Sequence, residues 1–129
     1  MIHRTSVLVL AGVLLSGCRD ELVPSGAWGG EHVVLTVTDN GGRVEFDCAH
    51  GTLDHPLQLD DRGRFSVAGT YVPEHGGPVR AGEVPESRPA RYQGRLDGQK
   101  LEFTMTVEGH TGQVFTVALG KGPKLTKCL

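Results

Sequence analysis

Beyond the first seventeen residues the chain carries five histidines, His32, His50, His55, His75 and His110, with Asp47, Asp54 and Glu74 close to some of them in sequence. Imidazoles and carboxylates together can ligate zinc or copper. His50 and His75 are the pair such a site would use, although no two histidines stand at the H-x-x-x-H spacing of a helical metal motif. Cys48 lies two residues before His50. On a strand that spacing puts thiol and imidazole on one side, as a nucleophile and its base require. No G-x-S-x-G elbow, phosphate-cradling glycine loop or paired-carboxylate motif is present. The expectation is therefore a protein without catalytic activity and without a cofactor.

The elements that would position these groups are strands. Apolar side chains alternate with polar ones through nearly all of the chain after the leader, the signature of sheets with one buried face. Val33, Leu35 and Val37 share a face in 32–38, and Val44, Phe46 and Cys48 share one in 43–50, which puts His50 in step with them. Leu53, Leu57 and Leu59 mark a third strand interrupted by Pro56, and Phe65, Val67 and Tyr71 a fourth. Tyr92, Gly94 and Leu96 follow, then Leu101, Phe103, Met105 and Val107 in the most regular run, 100–108. Phe115, Val117 and Leu119 make another, and 125–129 the last and shortest. No segment beyond the leader keeps a helical period over ten residues. Asp39-Asn40-Gly41-Gly42, Asp60-Asp61-Arg62-Gly63 and Asp97-Gly98 supply hairpin turns. Such short links predict an antiparallel meander that closes into an up-and-down barrel of about eight strands, since closure removes exposed edges. A β-sandwich or open meander is the alternative. Pro73 to Pro89 breaks the pattern with four prolines, and loops of that length are usually functional or disordered.

The N-terminus has a different character. Val7 to Leu15 is an unbroken apolar run of nine residues, too short to span a bilayer and suited to a cleaved signal. Leu15-Ser16-Gly17-Cys18 resembles the lipobox of bacterial lipoproteins. That resemblance implies cleavage after residue 17, acyl chains such as palmitate on Cys18, and anchoring to a membrane. Arg19 rather than Asp follows the cysteine. In proteobacterial lipoproteins that implies the outer membrane, facing the periplasm. The expected organisation is a signal peptide over 1–17, a lipidated tether over 18–27 and one β-barrel domain over 28–129. With Cys18 lipidated, Cys48 and Cys128 remain as an even pair in an oxidising compartment, and a disulfide between them is expected. Free thiols or a metal pair stay open as alternatives. The 13 Lys and Arg of the chain, less Arg4 of the leader, face 15 acidic residues. That balance offers nucleic acid no basic face.

Gly26-Ala27-Trp28 resembles the G-x-W opening of lipocalins, whose tryptophan plugs the closed end of an eight-stranded barrel. Further segments resemble an uncharacterised group of small bacterial envelope lipoproteins: Gly26-x-Trp28-Gly29-Gly30-x-His32, Asp47-Cys48-Ala49-His50-Gly51, Gly69-Thr70-Tyr71 with Glu74 to Arg80, and Lys127-Cys128-Leu129. That group implies a compartment and no activity. The resulting expectation is a lipid-anchored module that binds a small ligand or an envelope protein, with Trp28, Glu74, His75 and Arg80 as binding residues. The second expectation is a metal-binding envelope protein using His50 and His75.

Overall fold

The computed structural model describes residues 21–75, 77, 78, 81–84 and 86–128. The leader, Cys18 and Arg80 lie outside the described residues. The chain forms β1 (Glu21–Leu22), β2 (Gly26–Gly30), β3 (Val33–Thr38), β4 (Gly41–Phe46), β5 (Ala49–Leu53), β6 (Gln58–Leu59), β7 (Arg64–Pro73), β8 (Arg88–Asp97), β9 (Lys100–Val107), β10 (His110–Thr111) and β11 (Phe115–Leu119), with no helix among the described residues.

Eight of these close into an antiparallel up-and-down barrel in the order β2-β3-β4-β5-β7-β8-β9-β11. Closure comes from Ala118 and Leu119 of β11 pairing with Gly29 and Trp28 of β2. β10 adds one short strand beside β9, and β1 and β6 form a separate two-stranded pair. The fold class expected from alternation is the one observed.

The barrel is solid. Trp28, Leu35, Val44, Tyr92, Leu101 and Phe103 are fully buried. Neighbouring aromatic rings form a column along the interior: Phe46 to Phe115 with centroids 4.9 Å apart, Phe115 to Phe103 at 5.4 Å, and Phe103 to Tyr92 at 6.5 Å. Tyr92 shapes the wall as well as the core. Its hydroxyl donates to the Thr70 carbonyl oxygen at 2.7 Å, while the Thr52 N–H finds the Thr70 hydroxyl at 3.1 Å. The seam between β5 and β7 thus stays satisfied although its ladder is interrupted there. Two glycines make the room: a Cβ on Gly51 would collide with that carbonyl and the Tyr92 hydroxyl, and one on Gly69 with the Thr52 carbonyl. Burial pushes the Tyr92 phenol well above its ordinary pKa, so it remains a neutral donor.

Four details differ from the sequence reading. The run 43–50 is two strands, because Phe46 pairs with Ala49 and Asp47-Cys48 forms a two-residue turn between them. Crossing such a turn shifts the in–out parity by one place. His50 therefore points outward beside Val72, with Cys48 at the turn and not on a strand. That geometry removes the shared strand face on which a Cys48–His50 nucleophile pair depended. Residues 21–27, inside the stretch read as a tether, belong to the folded unit. Val23 is 2% exposed and its N–H donates to the Leu57 carbonyl oxygen at 2.9 Å, so 21–24 caps the end of the barrel where β2 starts. Residues 125–128 make no strand. After Gly120 the chain doubles back along β2, crossing Gly29 so closely that a Cβ there would strike the Lys121 carbonyl oxygen. It then pairs in parallel at Glu31 and Lys124.

Candidate functional site

The end of the barrel opposite the 21–24 cap gathers most of the expected site residues. Its rim is built from the β2–β3 turn, the β4–β5 turn, the end of β7 with the loop after it, and the C-terminal tail, which lies over these turns as a strap. Asp47 is the anchor of the strap. Its carboxylate accepts the Thr126 N–H at 2.9 Å and contacts His32 Nδ1 at 2.6 Å, and its backbone carbonyl accepts the Cys128 N–H at 3.1 Å. The Thr126 N–H first, and the His32 imidazole after it, hold the Asp47 carboxyl below the usual range. His32 reaches that position from a backbone with φ of 65°. Its N–H donates to the Lys124 carbonyl oxygen at 2.8 Å, which ties turn and strap together.

Cys48 and Cys128 form the expected disulfide, with Cα atoms 5.2 Å apart and a sequence separation of 80. Lys127 then donates from Nζ to the Phe46 carbonyl oxygen and to Glu74 Oε2, each at 2.9 Å. The other Glu74 oxygen stands 3.7 Å from His50 Nδ1. The ammonium of Lys127 is the main reason that the Glu74 carboxyl lies below its ordinary value. His75 pairs with Glu83 across the following loop at 2.6 Å. Inside this polar border the mouth of the barrel is apolar: Tyr71, Met105, Val107 and Phe115 are partly buried against the core.

The structure thus brings Glu74, His50, Cys48 and Cys128 together and places His75 next in the chain. It does not bring Trp28 to them. That side chain is 0% exposed in the core, and its Nε1 donates to the Pro24 carbonyl oxygen at 3.0 Å, at the capped end. A binding role for Trp28 is thereby replaced by a packing one, since a buried indole with its N–H spent on a carbonyl offers no face to a ligand. His55 sits exposed on the bend after β5, and His110 is exposed in β10. Lys127 and Thr126 were missed in sequence. Their one signal was adjacency to Cys128, which fixes them to whatever Cys48 adjoins. Among the described residues no three His, Cys, Asp or Glu side chains converge as a metal site. No protein-family model, curated protein or solved structure matches the chain.

Proposed function

We propose that this protein is a non-enzymatic binding module of the bacterial cell envelope, anchored by lipid on Cys18 and engaging an envelope protein or small ligand through its strapped rim. The observation that carries this reading is the apolar mouth formed by Tyr71, Met105, Val107 and Phe115, bordered by the ion pairs of Glu74 and His75 in a barrel whose interior is otherwise packed. A filled barrel directs binding to its surface. Apolar area ringed by polar groups is the usual composition of a contact site. The loop after β7 adds reach, with Val84 84% exposed. Glu74 and His75 would contribute directionality, and Arg80 would extend the same loop.

A photo-crosslinking side chain at Met105 or His75 in the full-length lipoprotein tests the rim, with one at Asn40, in the turn of the opposite end, as the control. Adducts from the two rim positions alone are expected. Equal labelling from Asn40, or none from the rim, would contradict the reading. The anchor is tested separately: labelled palmitate is expected on the wild type and absent from Cys18→Ala, with the protein in the outer-membrane fraction. A metal-binding role for His50 and His75 has less support, because each imidazole faces a carboxylate of its own, Glu74 and Glu83. Stoichiometric zinc or copper in untagged protein would revive it.

A further inference from the structure

A groove of about 580 Å³ crosses the outer face of β7, β8 and β9, toward the end of β7 away from Glu74. That volume lies within the range of small-ligand sites. The groove follows from Gly94, which sits opposite both Phe65 and Phe103 in the register. A Cβ at Gly94 would come within 2.6 Å of the Phe65 ring and 2.8 Å of the Phe103 Cβ. Without that atom the middle strand settles onto the two phenylalanines and the outer surface dips above it. Ser66, Gln93 and Thr104, also lining the groove, add hydroxyl and amide groups.

Its charges are arranged at a cost. Arg64 and Arg95 are direct cross-strand partners, both exposed. Like charges placed opposite one another destabilise a sheet. Neither guanidinium makes an ion pair within the described residues. The nearby Asp60 carboxylate is spent on the turn, accepting the N–H groups of Arg62 at 2.8 Å and Arg64 at 2.9 Å. Arg91 joins them on this face, its Nη1 donating to the Ser66 hydroxyl at 2.9 Å. Glu102, across from Arg95, is the other acid of the groove. The groove is thus lined by two guanidinium groups standing side by side, Arg64 and Arg95, and by two carboxylates, of which Glu102 alone accepts no backbone N–H.

We propose that this groove binds an acidic saccharide, its carboxylate or phosphate held between Arg64 and Arg95. The planar guanidinium fork suits either oxyanion in a bidentate geometry. Gln93, Ser66 and Thr104 hydrogen-bond the sugar hydroxyls, and the apolar ring face lies over Gly94 and Val114. The site is independent of the rim, so either can fail alone.

Amide shifts of the full-length chain in non-ionic micelles test the site, with digalacturonate as the carboxylate probe, mannose 6-phosphate as the phosphate probe and mannobiose as the neutral one. Saturable shifts at Ser66, Gln93 and Gly94 are expected from at least one acidic probe and not from mannobiose. Whichever acidic probe saturates identifies the anionic group. Arg95→Gln should weaken that binding at least about tenfold, as loss of a charge-assisted hydrogen bond does, and Arg95→Lys by less. Because Arg95→Gln removes both the like-charge neighbour of Arg64 and the opposite-charge neighbour of Glu102, it should melt close to the wild type without ligand. Silence from both acidic probes at about 10 mM, a far weaker regime than specific small-ligand binding, would overturn the proposal. So would equal shifts from mannobiose, or undiminished binding by a folded Arg95→Gln.

Discussion

Where β2 begins, Val23, Leu57 and Leu59 are buried at 6% exposure or less beside Trp28, and no charged side chain is buried with them. Where β4 turns into β5, the strap from Lys121 to Cys128 is held by a disulfide, by Asp47 and by the Lys127–Glu74 pair. The two ends of one barrel are closed by different physics. Apolar burial depends little on pH or redox state, whereas thiols and carboxylates answer to both. The first end should therefore persist through changes of redox state, and the second, the end that presents the rim, should loosen before the fold melts.

Substitutions can separate the two. The largest effect is expected from Trp28→Ala, which empties the capped end and should cost about 3–5 kcal/mol in chemical denaturation, as large-to-small core changes do. Replacing Cys48 and Cys128 by serine should cost less, at most about 4 kcal/mol for a loop of this length. Its mark should be selective: amides of 121–128 lose exchange protection while those of β2 and β3 keep theirs. Should Trp28 become exposed in this variant, the two ends are coupled and the distinction fails. Gly69→Ala lies in the wall between the ends, where overpacking against Thr52 should cost about 1–3 kcal/mol. Such a variant should lower the melting temperature without releasing the strap first. Glu74→Gln, at the exposed rim, should change stability by less than about 1 kcal/mol while reducing crosslinking from His75.

Acid gives the mildest perturbation. Asp47 and Glu74 both titrate below their ordinary values in the folded protein. Their stabilising contribution is therefore complete above the ordinary carboxylate range, and it is lost as pH falls through the depressed folded values. Proteolysis of the tail should accelerate below about pH 4, where unperturbed carboxylates take up protons. At the capped end the Asp60 carboxyl, also held below its ordinary value by the Arg64 and Arg62 N–H groups, should release its turn in the same window, while the apolar packing of Val23, Leu57 and Trp28 stays protected.

What could be read in advance follows from which interactions are local. The run Leu101, Phe103, Met105, Val107 announces β9 because its alternation is uninterrupted and Asp97-Gly98 marks the preceding turn. Asp47-Cys48 hides a turn because neither residue is glycine, so two strands read as one and His50 is assigned to the wrong face. The segment 21–27 is polar enough to pass for a tether, yet Val23 and Pro24 serve Leu57 and Trp28, partners that only the closed barrel brings near. The pairing of Cys48 with Cys128 was legible from cysteine arithmetic, while the anchoring of the strap by Asp47 was not, since Thr126 lies at the far end of the chain. Arg64 and Arg95 become neighbours through the β7–β8 register alone.

Native-state hydrogen exchange of the full-length chain, with the disulfide intact and reduced at neutral pH, tests the central claim most directly. The account predicts that reduction exposes the Thr126 and Cys128 amides while the Trp28 indole N–H stays protected. Loss of protection at Trp28 together with the strap, or a strap still protected after reduction, would contradict it.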